Sequence, residues 1–385
     1  DMSTPTAQRL ESVKEYYFSK KLREVAALIK AGNPILNMGI GSPDLPPDPS
    51  VLDAMQQSLS DPKAHMYQSY QGLPELREAI ASFYQLHYKV SLNPSSEILP
   101  LMGSKEGIMH ISMAFLDQGD QVLIPNPGYP TYSSVTQLLE AEAVFYDLKE
   151  TNNWQPDFDA LDRLDTSRIK LMWLNYPHMP TGAQVDPNTF KRLITWAKKN
   201  DVLLINDNPY SFILNDSPQS LMSQPGAMEV AMELNSLSKT FNLAGWRVGM
   251  LSGNSEHINA VLKVKSNMDS GMFYGIQKGA IAALQLETSW FSELNKVYAK
   301  RRTAMIELAT LMGSTFDPKS VGMFLWAKLN DPSMKSEEFI DQILKEHHIF
   351  ITPGTIFGSQ GAGYIRFSLC VKVEQIQTAI NRLKS

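Results

Sequence analysis

The sequence predicts an α/β protein in which a mostly parallel sheet lies between layers of helices. Short apolar runs typical of buried strands recur through the middle of the chain, at QVLIP (121–125), AVFYDL (143–148), IKLMWLNYP (169–177), VLLIND (202–207), MEVAMELNS (228–236) and RVGMLSG (247–253). Segments with helical spacing lie between several of them, at 105–118, 131–142 and 188–200. Strands that are apolar throughout and alternate with helices indicate a parallel sheet covered on both faces.

A second, smaller domain is predicted from the change of pattern after residue 280. A long helical segment at 289–312 leads into three strand-like runs, MFLWAKL, IFITP and YIRFSLC, with another helical segment at 337–347. Near the N-terminus, 18–32 reads as a helix that ends at a glycine. We therefore predict a large domain over 48–280 and a small α+β domain formed by 1–47 and 281–385.

The composition gives no sign of a nucleic-acid-binding, membrane or exported protein. The 385 residues carry a net charge of −5, which gives no sign of a nucleic-acid or membrane surface. No run reaches the roughly 18–20 apolar residues of a membrane helix, and no export pattern opens the chain. The one cysteine, Cys370, fits a reducing compartment and reads as a buried residue at a strand end. We therefore expect a cytoplasmic protein with no nucleic-acid or membrane partner, and the histidine spacing predicts no metal.

Polar residues fall at the predicted strand ends, where α/β proteins bind ligands. Gly103, Ser104 and Lys105 form a turn that opens a helix, which suits an anion. Asp207 directly follows an apolar strand and needs a cation or hydrogen-bond donors. Tyr129 stands in a Pro-rich turn after another strand.

The segment LNSLSKTFNLAGWRVG (234–249) carries the most informative pattern. A desolvated lysine loses its proton more readily and becomes a nucleophile, so Lys239 can form a Schiff base with an aldehyde cofactor. Ser236, Ser238 and Arg247 can hold a phosphate, and Asp207 can face a protonated ring nitrogen. Pyridoxal 5′-phosphate requires this set of groups, and we predict it as the cofactor.

The pattern Ser236-Leu237-Ser238-Lys239…Arg247-Val248-Gly249 resembles the signature of the class I/II aminotransferases, which are aspartate aminotransferase-like enzymes of fold type I. The resemblance runs from about residue 35 to 370 and implies a seven-stranded sheet. It implies that Lys239 holds the cofactor and moves a proton between the substrate Cα and the cofactor. Asp207 resembles the partner of the pyridine nitrogen, and Tyr210 the donor to the ring oxygen.

The resemblance implies further roles for residues outside that signature. Gly103, Ser104 and Lys105 resemble the phosphate-binding turn, and Tyr129 the aromatic residue that stacks on the cofactor. Tyr67 resembles the tyrosine that reaches the phosphate of the other subunit, which implies a homodimer with shared active sites. Arg366 resembles the arginine that binds the substrate α-carboxylate through two parallel hydrogen bonds, and Gly41 the glycine that lines the same pocket.

One residue departs from the family pattern. The family turn reads Asn-Pro-Thr-Gly, and here Met179 precedes Pro180 in NYPHMPTG, in the substrate-binding position. Methionine cannot donate the hydrogen bond that asparagine gives to the cofactor ring oxygen and the substrate carboxylate. Either Asn175, which we count among the cofactor-binding residues, or His178 replaces that donor, or the site holds its substrate differently.

Three functions are compatible with these residues. The first is an aminotransferase that moves an amino group from an amino acid to a 2-oxo acid. The second is a lyase of the same fold that uses the same cofactor to eliminate a β-substituent and cleave a C–S bond. The third is a catalytically silent sensor or interaction module, against which the intact Lys239 argues. The segment KSNMDSGMF (265–273) resembles one in aminotransferases that act on diaminopimelate, which implies a long or dicarboxylic substrate with glutamate and 2-oxoglutarate as partners.

Overall fold

The computed structural model describes residues 3–14 and 17–385. The helices of these ranges are α1 (Tyr17–Lys30), α2 (Pro49–Ser58), α3 (Pro74–Tyr88), α4 (Ser104–Phe115), α5 (Thr131–Leu138), α6 (Phe158–Asp162), α7 (Thr189–Asn200), α8 (Ala227–Val230), α9 (Ser255–Lys265), α10 (Tyr274–Leu284), α11 (Ser289–Leu311), α12 (Ser336–His347) and α13 (Val373–Lys384). The strands are β1 (Leu36–Asn37), β2 (Ile98–Leu101), β3 (Gln121–Asn126), β4 (Glu142–Asp147), β5 (Ile169–Leu174), β6 (Leu203–Asp207), β7 (Ala231–Ser236), β8 (Gly249–Ser252), β9 (Ser314–Phe316), β10 (Phe324–Leu329), β11 (Ile349–Phe350), β12 (Thr352–Pro353) and β13 (Tyr364–Ser368). None of the described helices is both long and apolar enough to cross a membrane.

The large sheet has seven strands in the order β2-β8-β7-β6-β5-β3-β4. β8 alone runs in the direction opposite to the other six strands, so the predicted mostly parallel sheet is confirmed. The run read as one strand at 228–236 begins with the short helix α8, and its strand starts at Ala231. The apolar runs of the sequence did not predict the edge strand β2.

Helices cover both faces of this sheet, which explains why its strands are apolar throughout. Leu171 and Trp173 in β5 pack in one cluster with α4, α5 and α9. Met172 and Leu174, which alternate with them, pack in a second cluster with α3, α7 and α10. Successive side chains of a strand point to opposite faces, so a strand buried on both sides cannot alternate with polar residues.

A smaller unit is built from the C-terminal part of the chain and the N-terminal segment. Its antiparallel sheet has the strand order β12-β13-β10-β9. The N-terminal strand β1 pairs in parallel with β11, with Leu36 opposite Ile349. This joining of the two ends of the chain agrees with the predicted small α+β domain, and the boundaries at 47/48 and 280/281 stay a prediction. Cys370 is buried just after β13.

Candidate active site

The predicted functional side chains meet at one edge of the large sheet, in a cavity of about 440 Å³. Asp207 ends β6, Ser236 ends β7, and Asn175 directly follows β5. Parallel strands end at the same edge of a sheet, so these residues converge. Because β8 is antiparallel, its beginning lies at that edge and brings Arg247 to the same cavity.

Most of the residues predicted from the sequence line this cavity. They are Gly41, Ser104, Lys105, Tyr129, Asn175, Met179, Asp207, Tyr210, Ser236, Ser238, Lys239, Arg247 and Arg366. Gly103 and Tyr67 are not among the residues of this chain that line the cavity. The sequence therefore predicted the set that one chain brings together, and left out the aromatic residues described below.

One end of the cavity is suited to an anion. Helix α4 begins there at Ser104, so its positive N-terminal end faces Ser236, Ser238 and Arg247. Gly103 explains how Arg247 comes so close to this turn. Its φ is 92°, and a Cβ at Gly103 would lie 2.3 Å from Nη2 of Arg247. A side chain at residue 103 would therefore displace the guanidinium from the anion-binding end.

Lys239 lines the same cavity, three residues beyond β7. Its Nζ donates a hydrogen bond to the backbone oxygen of Gly41 over 2.8 Å. Burial lowers the pKa of Lys239 below its ordinary value, because the charged amine loses hydration. The neutral amine, which is the nucleophilic form, is thereby favoured.

Asp207 presents one oxygen that has no donor. Tyr132 donates to Oδ2 over 2.7 Å, and Oδ1 is buried and accepts no hydrogen bond from the described part of the chain. Burial raises the pKa of Asp207 to about 7. An unpaired buried acceptor on a residue that lines a cavity fits a ligand that brings its own proton, such as the ring nitrogen of a pyridinium.

Tyr132 is a site residue that the sequence did not identify. Its ring stacks on Trp173 with centroids 4.9 Å apart, so it also belongs to the core. The sequence signal that could have identified Tyr132 is its position three residues after Tyr129, near the start of α5. Only the folded chain reveals that its hydroxyl holds Asp207.

Arg366 lines a second part of the cavity, which we call the substrate end after the role that the resemblance implies for this arginine. It lies in β13, and its Nη2 donates to the backbone oxygen of Gly39 over 2.7 Å. Its guanidinium carbon is 3.9 Å from the ring centroid of Phe324 and 4.8 Å from that of Phe357. The two rings fix a buried planar cation, which is the arrangement needed to bind a carboxylate with two parallel hydrogen bonds.

The turn with Met179 adds a thioether to this end. The sulfur of Met179 lies 3.4 Å from Nη1 of Arg366. His178, one candidate for the missing donor, is excluded, because its ring nitrogens lie 3.0 Å from the Pro127 oxygen and 2.6 Å from the Thr181 hydroxyl, away from the cavity. Asn175 uses one amide hydrogen on the Asp207 backbone oxygen and keeps a second, so it remains a candidate.

These groups match pyridoxal 5′-phosphate part by part: an amine for its aldehyde, an acid for its ring nitrogen and a positive helix end for its phosphate. Among the described residues, no group of three or more His, Cys, Asp or Glu side chains could hold a metal ion. The fold and the donor set thus define a pyridoxal-phosphate-dependent enzyme. The chain belongs to the class I and II aminotransferases, whose family model matches residues 33–383.

Comparison with individual proteins gives the same result. An LL-diaminopimelate aminotransferase from Dehalococcoides mccartyi is 38% identical over 379 residues, which covers 98% of this chain and 97% of that protein. One from Aquifex aeolicus is 37% identical over 381 residues, which is 98% of each chain. The structure of BacF from Bacillus subtilis has a TM-score of 0.94 and 34% identity, and covers 99% of this chain and 98% of that one. These relatives support the transferase over both the lyase and the silent module.

Proposed function

We propose that Lys239 carries the cofactor and moves the proton as an amino group passes from an amino acid to a 2-oxo acid. The observation that carries this proposal is the buried Lys239 amine, 2.8 Å from the Gly41 oxygen, in one cavity with Asp207 and Arg366. When bound, pyridoxal 5′-phosphate supplies an electron-withdrawing ring that takes up the electrons released when the Cα–H bond breaks.

The substrate end orients the amino acid for this proton transfer. Arg366 binds the α-carboxylate with two N–H groups, and Phe324 and Phe357 keep water from its guanidinium. The amino group of the substrate displaces Lys239 from the cofactor, and Lys239, now a free neutral amine, accepts the proton from Cα. Water then supplies the oxygen of the 2-oxo acid that leaves, and the amino group stays behind. The second 2-oxo acid takes up that amino group and a proton from Lys239 in the reverse order and releases water.

The remaining residues hold the cofactor in place. Tyr132 fixes the Asp207 carboxylate so that Oδ1 can accept the proton of the ring nitrogen. Burial raises the pKa of Tyr210, so its phenol stays protonated and donates to the ring oxygen. Tyr129 supplies the stacking face, and Asn175 a further amide donor. The phosphate is held by Ser104, Lys105, Ser236, Ser238 and Arg247, with Gly103 making room for the arginine.

A homodimer in which Tyr67 serves the partner's site is part of this proposal. Tyr67 is 90% exposed in one chain, and its neighbour Met66 is 67% exposed. The adjacent loop carries Met268 and Phe273, which are 50% and 40% exposed. Apolar side chains grouped on a surface are typical of protein interfaces.

The proposed location of the protein is the cytoplasm. This proposal rests on the single cysteine alone, which fits a reducing compartment.

Reduction of the purified holoenzyme with borohydride tests the role of Lys239. The reagent fixes the cofactor to the amine that binds it, and mass spectrometry of a digest then identifies the lysine. We expect the cofactor on Lys239. Lys105 serves as the internal control, because it is a second lysine of the same cavity. Label on Lys105, or no labelled lysine, would overturn the proposed role.

A further inference from the structure

We propose that Asn126, which is not among the described residues that line the cavity, is a positioning residue for the substrate carboxylate. Its side chain holds the segment 357–360 against the end of β3. This segment carries Phe357, one of the two rings on the guanidinium of Arg366. The inference rests on the function proposed above, in which Arg366 binds the α-carboxylate, and adds a residue that acts on that site through Phe357.

Asn126 joins the large sheet to the smaller unit with both polar atoms of its side chain. It is the last residue of β3 and is buried. Its Nδ2 donates hydrogen bonds to Oδ1 of Asp147, at the end of β4, over 3.0 Å and to Oγ of Ser359 over 2.8 Å. Its Oδ1 accepts a hydrogen bond from the backbone N–H of Gln360 over 3.1 Å. The amide thus bridges two segments that are far apart in the sequence.

The close approach of these two segments requires a glycine. The φ of Gly358 is 132°, and a Cβ there would lie 2.1 Å from Oδ1 of Asn126. Any other residue would therefore separate this oxygen from the N–H of Gln360. The contact exists because a glycine stands between Phe357 and the two residues that Asn126 binds.

Phe357 connects this contact to the cavity. Its backbone oxygen accepts a hydrogen bond from the N–H of Gly128 over 2.8 Å, so the turn 126–128 holds the segment at two points. Its buried ring lines the cavity, with its centroid 4.8 Å from the guanidinium carbon of Arg366. If the residues after Phe357 are released, the ring gains freedom to leave Arg366. Water then reaches the guanidinium and weakens its attraction for a carboxylate.

The turn that carries Asn126 is itself anchored. Nε2 of His178 lies 3.0 Å from the Pro127 oxygen, and Nδ1 lies 2.6 Å from the Thr181 hydroxyl. Burial lowers the pKa of His178 to about 3, so its ring is neutral and only one nitrogen carries a hydrogen. A carbonyl oxygen only accepts, so Nε2–H donates to Pro127 and Nδ1 accepts from Thr181. Asn126 therefore holds the segment 357–360 to a fixed support.

Binding of unreactive carboxylates to the purified holoenzyme tests the inference. 3-Phenylpropanoate and glutarate are titrated separately, and the change in cofactor absorption gives each dissociation constant. In Asn126→Ala we expect both constants to rise about 5–10-fold, because hydrogen bonds that order the carboxylate site shared by the two ligands are lost. The affinity for pyridoxal 5′-phosphate should stay that of the parent, since the phosphate is held at the other end of the cavity. An equal loss of cofactor affinity would overturn the inference, because the effect would then be on the whole fold.

Gln360→Ala is the matched control. Gln360 lies on the same segment, its side-chain amide is 3.4 Å from Oδ2 of Asp147, and the variant keeps the backbone N–H that Asn126 accepts. We expect its dissociation constants to stay within about twofold of the parent. Unchanged binding in a folded Asn126→Ala, or equal effects of the two substitutions, overturns the inference and leaves the proposed function intact. A parent enzyme that binds neither carboxylate overturns the role of Arg366 and this inference together.

A double-mutant cycle tests whether Asn126 acts through Phe357. In Phe357→Ala the positioned ring is gone, so the addition of Asn126→Ala should change the two dissociation constants by less than about twofold. Effects that multiply in the double variant would overturn the inference. Should Asn126→Ala fail to fold, Gly358→Ala replaces it, because its Cβ breaks the same contact from the other side. The same rise of about 5–10-fold is expected, and unchanged binding in Gly358→Ala overturns the inference.

Discussion

At the residue scale, the contacts of Arg366 bear on its proposed binding of the substrate carboxylate. Its Nη2 donates to the Gly39 oxygen, and its Nη1 faces the sulfur of Met179 at 3.4 Å. A thioether is a weak acceptor, so a carboxylate displaces it at little cost. Met179 thus leaves the guanidinium ready to bind but adds no donor of its own.

Met179→Asn restores the amide found in the family. We expect the fold to stay intact and the affinity for a carboxylate ligand to rise about 10-fold, since a hydrogen bond to a charged group contributes about 1.5–3 kcal/mol. Titration with an unreactive carboxylate measures the affinity, and thermal melting checks the fold. Met179→Leu is the control, because it removes the sulfur and adds no donor. Unchanged or weaker binding in Met179→Asn would mean that Asn175 already compensates.

Asp207 makes the stability of the cofactor-free protein depend on pH. Its pKa is about 7, against an ordinary value of 3.8, because the carboxylate is buried. The folded chain therefore holds a proton that the unfolded chain has released. The stability that this proton contributes is complete below the ordinary pKa and is lost as the pH rises through about 7.

Asp207→Asn removes the loss of stability at high pH, because asparagine does not ionise. At about pH 8 the cofactor-free variant should be more stable than the parent by up to about 4 kcal/mol, and at about pH 3, below the ordinary pKa, the difference should vanish. Denaturant unfolding of both proteins at the two pH values measures it. The same pH dependence in parent and variant would show that Asp207 is ionised in the folded cofactor-free chain.

The site residues that could be predicted from the sequence are those whose side-chain chemistry leaves few reasons for a position beside a buried strand. Lys239, Asp207 and Arg247 are charged residues beside buried strands, and each needs a reason to be there. Phe324 and Phe357 gave no such signal, because an apolar residue is ordinary in any core. Their role depends on where Arg366 lies, and only the folded chain determines that.

At the scale of elements, the single antiparallel strand β8 completes the anion-binding end. It pairs with β7 so that Ser236 lies opposite Gly249. A Cβ at Gly249 would lie 2.8 Å from the Ser104 nitrogen, so only glycine allows β8 to pass the start of α4. The signature therefore encodes a lysine, an arginine and the strand that brings the two together.

The sequence predicted the interior strands of this sheet better than its edge. β5 and β6 are unbroken apolar runs, whereas β2 has four residues and includes Pro100. Proline lacks the N–H that a strand donates, so the run does not read as a strand. Pairing with β8 supplies the context that its own residues lack.

A buried carboxylate holds the end of β6 in place. Glu233 in β7 accepts hydrogen bonds from Tyr84 and Ser220 at Oε1, over 2.9 Å and 2.7 Å. Its Oε2 accepts from Asn206 and from the backbone N–H of Leu221, each over 3.0 Å. Asn206 precedes Asp207, so this network positions the strand end that presents the carboxylate to the cavity.

Glu233→Ala should destabilise the chain by at least about 3 kcal/mol, because several buried polar groups lose their partner at about 1–3 kcal/mol each. Denaturant unfolding measures the change. Glu229→Ala is the control, since Glu229 is an exposed residue of α8 paired with Lys198, and its effect should stay within about 0.5 kcal/mol. Equal effects of the two substitutions would remove the proposed role of the network.

At the scale of the whole molecule, the proposed homodimer completes the site with Tyr67 of a second chain. The sequence could predict the layered fold because each layer leaves a periodic pattern. It could not predict the shared site from such a pattern, since an exposed tyrosine has no periodicity to reveal its partner. The resemblance to the family alone supplied that expectation.

Hybrid dimers test the sharing of sites. A Lys239→Ala chain and a Tyr67→Ala chain are mixed, unfolded and refolded together. If Tyr67 serves the partner's site, each hybrid dimer has one intact site, and random assortment restores about a quarter of the parent activity. Refolding each variant alone is the control. No gain over the separate variants would mean that Tyr67 acts within its own chain or not at all.

The most direct test of the central claim is the absorption spectrum of the purified holoenzyme during stepwise addition of single amino acids. We expect the aldehyde form of the cofactor to be converted to its amine form with release of a 2-oxo acid, and Lys239→Ala to abolish the conversion. A spectrum that changes with release of ammonia and pyruvate would instead indicate a lyase. A protein that takes up no cofactor, even after reconstitution, would contradict the role assigned to Lys239.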